Sequence, residues 1–151
     1  MKNSRGFTII ELLVVISVIS IILGVIIPRF KGMQDEANKA KAEAELKTLQ
    51  TAVESWFINH SPHAYPPGSE TICADYLNQA NPVIVGTPLY DPFKAPGVEY
   101  FFVVSPTNGE YYAISSYGPN GEAEIEGISD EGYLDGDQVD DIFVTNGFGF
   151  Q

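Results

Sequence analysis

Two stretches of this sequence carry residue types that could do chemistry. The first centres on Glu11, the only charged residue in the apolar run from Phe7 to Ile27. The second lies between Ser116 and Ile142, where there are nine Asp or Glu residues and no Lys or Arg. Carboxylate, amide, hydroxyl and carbonyl oxygens are the ligands that calcium prefers, and a bound dication would order so acidic a segment. Composition alone also allows a mobile, solvated loop, and slightly favours it.

Glu11 must be carried by an element that suits the apolar residues around it. The 21 residues from Phe7 to Ile27 would span roughly 30 Å as an α-helix, the thickness of the hydrocarbon core of a membrane. A carboxylate at the membrane centre costs about 3 kcal/mol, so we expect Glu11 to have a positively charged partner. A secretory signal would place small residues after the run, which instead ends Val25-Ile26-Ile27-Pro28-Arg29, and a plain anchor leaves Glu11 unexplained. A third interpretation is a cleavage site before the run.

The N-terminal sequence resembles a known processing signal. Met1-Lys2-Asn3-Ser4-Arg5-Gly6, followed by Phe7-Thr8-Ile9-Ile10-Glu11-Leu12-Leu13-Val14-Val15, is similar to the start of type IV prepilins and type II secretion pseudopilins, which also carry a proline at the position of Pro28. The resemblance implies that residues 1–6 are a leader, removed by a prepilin peptidase between Gly6 and Phe7. Phe7 would become an N-methylated amino terminus, and Glu11 would meet the terminal amine of a neighbouring copy. Cleavage would create that cation in the same low-dielectric layer as the carboxylate, so Glu11 would have a partner only after assembly.

Basic residues stand immediately before the apolar run. They are Lys2 and Arg5, so the positive-inside rule predicts a cytoplasmic N-terminus and an exported C-terminal domain. We expect a single-pass protein of the bacterial inner membrane. Its domain would lie in the periplasm and later join a filament in the periplasm or outside the cell.

A single helix is predicted from about Phe7 to about His60. Its first half, residues 7–31, is apolar on all sides and would form the transmembrane and assembly segment. Its second half, residues 32–61, is amphipathic, with apolar residues at helical spacing. Pro28 removes one backbone N–H and clashes with the preceding turn, so a kink is expected near Gly24 and Pro28.

Residues 32–151 are predicted to form one exported domain of the α+β class. Residues 62–97 form an irregular connection, with a helical turn around Cys73–Leu77 and a strand at Val83–Val85. Strands at Val98–Val104 and Tyr111–Ser116 flank an Asn-Gly turn, and a third is expected at Asp141–Val144. Residues 98–151 would thus supply the acidic loop and an antiparallel sheet of about three strands that covers the amphipathic helix.

Charge and cysteine content exclude some classes of protein. The formal net charge is −12, and after residue 50 Lys94 is the only Lys or Arg, against fifteen acids. Such a domain lacks the basic surface that nucleic-acid binding requires. Cys73 is the only cysteine, so no intrachain disulfide can form. There is no defensible Ser/His/Asp or Cys/His arrangement, phosphate-binding glycine loop or zinc spacing, and we expect the protein not to be an enzyme.

A second resemblance covers scattered parts of the domain. Tyr65-Pro66-Pro67, Asp91-Pro92-Phe93, Ser115–Gly121 and Asp140-Asp141-Ile142 are similar to the major pseudopilin of type II secretion. In that family a calcium ion sits in the C-terminal loop, and the matching positions here are Ser116, Asn120, Asp140 and Asp141. Asn120 stands where an aspartate is usual, so an amide oxygen would replace a charged ligand.

The resemblance implies a structural function. The chain would have a pilin-like fold with an extended C-terminal loop and would pack through its N-terminal helix into a helical homo-oligomer. The leading hypothesis is the major pseudopilin of a type II protein secretion system, with a prepilin peptidase, an inner-membrane assembly platform and minor pseudopilins as partners. The alternative is a major or minor type IV pilin, acting in adhesion, motility, uptake or filament initiation.

Overall fold

The computed structural model describes residues 6–137 and 139–151, with all their side chains except that of Pro28. By internal contacts the chain divides into two units, Met1–Glu36 and Ala37–Gln151. Of the predicted leader, residues 1–6, only Gly6 lies within the described residues.

Helix α1 spans Ile9–Asn59. The prediction of one long helix from about Phe7 to about His60 is therefore confirmed to within two residues. The backbone is helical through Gly24 and Pro28, and a bend at these positions stays a prediction.

The second unit adds a small antiparallel sheet to α1. Its strands are β1 (Phe101–Val104), β2 (Tyr112–Ser116), β3 (Ile125–Ile128), β4 (Leu134–Gly136) and β5 (Ile142–Thr145). Strands β1, β2 and β5 form one sheet in the order β1-β2-β5, which confirms the predicted three-stranded sheet and the α+β class. β2 is buried along its whole length, because it is the central strand of this sheet. The core joins apolar residues of α1 to those of the sheet, among them Leu46, Leu49, Val53, Phe102, Tyr112 and Ile114.

Two buried tyrosines tie the sheet side of this core to α1. The hydroxyl of Tyr112 donates to Oε1 of Glu54 at 2.8 Å, and that of Tyr100 donates to Oε2 of Glu45 at 2.6 Å. Both tyrosines are fully buried, so their hydroxyls need partners within the protein. Burial raises the pKa of both hydroxyls, and the neighbouring glutamates raise it further. Both groups therefore remain hydrogen-bond donors at physiological pH.

The acidic segment is more regular than predicted. Strands β3 and β4 pair antiparallel as a separate two-stranded sheet. Ile125, Ile128 and Leu134 are buried there together with Ala113 of β2. Residues 125–136 of the predicted acidic loop therefore form two strands and a turn, because these apolar side chains have the central strand to pack against.

The connection before β1 contains short helices and no strand at the predicted place. Helix α2 (Ile72–Asp75) and a 3₁₀ turn (Leu77–Gln79) confirm the predicted helical turn. Residues 83–85 are irregular, so the strand predicted at Val83–Val85 is wrong. Val83 and Ile84 are exposed, and only Val85 reaches the core.

Candidate functional site

Thr8 and Glu11 form a capping box at the start of α1. The Thr8 hydroxyl accepts a hydrogen bond from the Glu11 N–H at 3.3 Å. Oε2 of Glu11 accepts from the backbone N–H of Thr8 at 2.9 Å and from its hydroxyl at 2.8 Å. Such reciprocal bonds satisfy N–H groups that a helix start leaves unpaired. Glu11 is therefore hydrogen-bonded within its own chain, and its positively charged partner in a neighbouring copy stays a prediction.

The predicted cleavage bond lies just outside this helix. Gly6, Phe7 and Thr8 are non-helical, and Phe7 is 77 % exposed. A Cβ built on Gly6 would meet no atom within 4 Å. The bond between Gly6 and Phe7 is therefore accessible, as a peptidase requires.

The part of α1 that follows Glu11 is an uncovered apolar surface. The large apolar side chains from Leu12 to Ile27 are all at least 39 % exposed. The hydroxyls of Ser17 and Ser20 donate to the carbonyl oxygens of Leu13 and Ile16, both at 2.7 Å, so these polar groups are satisfied within the helix. Within the described residues, α1 is the one helix long and apolar enough to cross a membrane. It is compatible with a single membrane crossing.

Three carboxylates converge in the acidic segment. Oxygen atoms of Glu124, Asp140 and Asp141 lie within 4.8 Å of one another. Negative charges this close repel one another unless a cation lies among them. Within the described residues the one ion pair is Lys41–Glu45, so no Lys or Arg side chain there neutralises the cluster.

In or beside this cluster, three buried oxygens have no hydrogen-bond partner within the described residues. They are Oδ1 of Asp140, Oδ1 of Asp141 and Oγ of Ser116. Ser116 is fully buried and pairs with Ile142 across β2 and β5, one residue from Asp141. Buried unpaired oxygens are costly, and carboxylates with a hydroxyl are a ligand set that suits calcium. The residues present therefore fit a hard dication.

Backbone N–H groups hold one oxygen of Glu124 and one oxygen of Asp141. Oε2 of Glu124 accepts from the N–H of Asp140 at 2.8 Å and of Asp141 at 3.2 Å. Oδ2 of Asp141 accepts from the N–H of Glu124 at 3.0 Å and of Ile125 at 3.1 Å. This reciprocal arrangement fixes the chain before β3 against the chain before β5, so the cluster is preformed.

Asn120 contacts the carboxylates through hydrogen bonds. Its Nδ2 donates to Oε1 of Glu124 at 2.6 Å, and its backbone N–H donates to Oδ2 of Asp140 at 3.1 Å. Its Oδ1 accepts from the N–H of Glu122 at 2.7 Å. Of the four predicted ligands, Asp140 and Asp141 lie together in the cluster. Ser116 is on the neighbouring strand, paired with Ile142, and Asn120 is a hydrogen-bonding neighbour of the carboxylates.

Sequence reasoning missed Glu124. In the sequence it is one of nine acids with no distinguishing spacing. The turn Gly118–Gly121 and the start of β3 bring it back to the cluster. Gly118 has φ of 62°, and a Cβ there would collide with Asp140, so this turn approaches Asp140 only because it carries glycine. The signal that could have revealed Glu124 is this glycine-bounded turn, with an acid three residues beyond it.

The two carboxylates that exchange backbone bonds differ in electrostatics. Burial raises the pKa of Asp141, against the hydrogen bonds from Glu124 and Ile125, and the charges of Glu124 and Asp140 add to the rise. The backbone N–H of Asp140 is the main cause that lowers the pKa of Glu124. A cation at this site would favour the charged form of Asp141, which burial disfavours.

The fold and the N-terminal site resemble those of one class of protein. A long helix with an apolar first half, joined to a small antiparallel sheet, is a pilin-like architecture. Residues 1–27 match the prokaryotic N-terminal methylation motif. The chain is therefore similar at its N-terminus to type IV pilins and, over most of its length, to type II secretion core proteins.

Similarity to one group of proteins extends far beyond the motif. Type II secretion system core protein G of Escherichia coli is 26 % identical over 138 residues, which cover 82 % of this chain and 88 % of that protein. Core protein G of Dickeya chrysanthemi is also 26 % identical, over 83 % of this chain and 84 % of that protein. The type IV major pilin protein PilA of Myxococcus xanthus is 41 % identical over 36 % of this chain and 25 % of that protein. No solved structure gives a significant match.

Proposed function

We propose that this chain is the major pseudopilin of a type II protein secretion system. It would polymerise with copies of itself into a helical filament anchored in the inner membrane. The observation that carries the proposal is the similarity to core protein G, which spans 82 % of this chain and so includes most of the domain. The similarity to PilA covers 36 % of the chain and leaves most of the domain unmatched. A type IV pilin is therefore the second candidate.

The N-terminal site supports a mechanism of assembly. A prepilin peptidase cuts between Gly6 and Phe7, and the new amino terminus of Phe7 is methylated. The capping box survives the cut, because Thr8 and Glu11 both stay in the mature chain. Both bonds that the Glu11 carboxylate accepts from Thr8 use Oε2, which leaves Oε1 for the amine of a neighbouring copy. In an apolar layer that charge pair is hardly screened, so it sets the axial register between copies.

The membrane topology of the protein follows from the apolar helix and the basic residues before it. Lys2 and Arg5 precede the run, so the N-terminus faces the cytoplasm and the domain faces the periplasm. The apolar surface from Leu12 to Ile27 exchanges lipid contacts for contacts with other copies as the filament grows. Its partners are the prepilin peptidase, an inner-membrane assembly platform and minor pseudopilins.

The acidic cluster is the calcium site of this proposal. Ser116, Glu124, Asp140 and Asp141 would hold the ion, and three buried unpaired oxygens support this. Bound calcium would neutralise the converging carboxylates. It would also join the start of β3 to the start of β5, in a chain whose single cysteine, Cys73, allows no intrachain disulfide.

The assembly role of Glu11 is tested in cells that carry the secretion machinery. Glu11→Ala should enter the membrane and lose its leader as the wild type does, but sheared filaments should contain little of it. Ser17→Ala is the matched control, because it removes a polar group that bonds only within its own helix, and it should assemble normally. Wild-type filament levels from Glu11→Ala would contradict the register role.

A second experiment separates the candidate functions. Deleting the gene should stop protein secretion, and the chain should be the dominant subunit of sheared filaments. A scarce subunit would identify a minor component instead. Intact secretion with loss of adhesion or motility would identify a type IV pilin.

A further inference from the structure

Lys94 has contacts that the calcium site alone does not explain. It is the only Lys or Arg after residue 50, where there are fifteen acids. Its Nζ donates to the carbonyl oxygen of Gly121 at 2.7 Å and lies 4.0 Å from the centre of the Tyr117 ring. Within the described residues it forms no ion pair. This cation therefore binds the backbone and a ring, and leaves the carboxylates available to a metal.

The short segment that ends in Lys94 fixes both ends of one turn. Asp91 is buried, and its Oδ2 accepts from the N–H of Tyr117 at 2.8 Å. Lys94 holds Gly121 at the other end. Between them the N–H of Gly121 donates to the carbonyl oxygen of Gly118 at 3.1 Å. The turn is thus anchored at its start by Asp91 and at its end by Lys94.

This turn carries the residue that touches two of the carboxylates. Asn120 donates to Oδ2 of Asp140 at 3.1 Å and to Oε1 of Glu124 at 2.6 Å. A displacement of Gly121 would move Asn120, the residue next to it in the chain. The position of two ligand side chains is therefore coupled to the bond that Lys94 makes.

We propose that Lys94 is a positioning residue for the calcium site. By holding Gly121 it keeps Asn120, and through it Asp140 and Glu124, in the arrangement that binds the ion before the ion arrives. The inference rests on the calcium site proposed above. As a charge near a dication, Lys94 would weaken binding, so its removal would tighten it. As a positioning residue it has the opposite effect, and the sign of the change decides between the two.

The test is a calcium titration of the full-length chain in detergent micelles, followed by calorimetry. Lys94→Met should weaken calcium binding by about tenfold, because the charged hydrogen bond to Gly121 is lost. Lys94→Arg keeps a charged donor and a cation over the ring, and should bind within about threefold of the wild type. Lys39→Met is the matched control, since it removes the same charge from an exposed position on α1, and it should bind as the wild type does.

Amide hydrogen exchange without calcium gives a second readout. Lys94→Met should speed exchange at residues 117–125 and leave the remaining domain unchanged, whereas general destabilisation would speed exchange throughout. If Lys94→Met does not fold, Lys94→Gln takes its place, because glutamine keeps a donor without the charge. Calcium binding by the variant that equals or exceeds wild-type binding overturns the proposal, as does uniformly faster exchange. A wild-type chain that binds no calcium refutes the calcium site itself, and the role of Lys94 with it.

Discussion

Asp141→Asn should change the stability of the domain in opposite directions with and without calcium. Burial raises the pKa of Asp141, so the folded chain disfavours its charged form. This penalty is present above the raised pKa and disappears as pH falls through it, because the protonated acid carries no charge. Without calcium at neutral pH, Asp141→Asn should raise the melting temperature. Asparagine keeps an oxygen for the N–H groups of Glu124 and Ile125 and removes one of three converging charges.

With calcium the sign reverses. A ligand that binds only the folded state at about 100 times its dissociation constant adds about 2.7 kcal/mol of stability. For a domain of this size that corresponds to a rise of roughly 10 °C in melting temperature. Asp141→Asn removes one of the three carboxylates of the cluster, so the variant should lose most of that rise.

The assay is thermal unfolding of the full-length chain in detergent, with chelator or with calcium, at neutral pH and at about pH 4. Asp137→Asn makes the same chemical change at an exposed carboxylate outside the cluster and should follow the wild type in every buffer. The rise in melting temperature that Asp141→Asn causes in chelator should vanish at the lower pH. Equal melting temperatures for Asp141→Asn and the wild type in both neutral buffers would refute the reasoning.

Other positions test the packing of the domain. Tyr112→Phe should lower the free energy of unfolding by about 1–2 kcal/mol in chemical denaturation, because it removes a bond from a buried hydroxyl to Glu54. Gly136→Ala should lower both the melting temperature and calcium affinity, because its φ is 119° and a Cβ would collide with the carbonyl of Glu124. Cys73 should resist thiol reagents in the folded chain and react after denaturation, because burial raises its pKa to about 12 and the thiolate is scarce.

Each of these predictions has a control or a contrary outcome. Tyr90→Phe changes a tyrosine that is 44 % exposed, and a loss equal to that of Tyr112→Phe would mean that the bond to Glu54 contributes nothing. Gly109 has a φ of 63° with open space around it. Gly109→Ala therefore isolates backbone strain and should lower the melting temperature less than Gly136→Ala does. Rapid labelling of Cys73 in native buffer would contradict its burial.

Local signals made α1 and the main sheet predictable. α1 follows from the apolar run and the helical spacing after it, and it ends just before Ser61-Pro62, where the sequence breaks the helix. β1 and β2 flank an Asn-Gly turn, in which Gly109 has the positive φ that such turns require. These features depend on residues close together in the chain, so the sequence alone reveals them.

The errors concern features that depend on distant residues. Ile125, Ile128 and Leu134 are scattered among acids, and their strands form because Ala113 of β2 lies behind them. The segment Val83–Val85 has strand composition, but none of its residues pairs with a strand in the described part of the chain. Composition shows how apolar a segment is, but the rest of the fold determines whether that segment can pair with a strand or pack against one.

The candidate metal site shows the same division. Ser116, Asp140 and Asp141 could be predicted through resemblance; the fold clusters the two aspartates and places Ser116 on the neighbouring strand. Glu124 could not, because its place depends on how the turn Gly118–Gly121 folds back toward β5. Lys94 was visible as an isolated base, but its contact with Gly121 joins residues 27 positions apart.

The capping box also bears on how subunits enter and leave a filament. Thr8 engages only one oxygen of the Glu11 carboxylate, so an incoming amine can approach the other oxygen before any bond to Thr8 breaks. The carboxylate then keeps at least one hydrogen-bond partner throughout the exchange. Under the proposed assembly, a subunit in the membrane keeps its Glu11 carboxylate hydrogen-bonded to Thr8, and the neighbouring amine supplies the neutralising charge. The same exchange in reverse would return a subunit from the filament to the membrane with its hydrogen bonds to Thr8 in place.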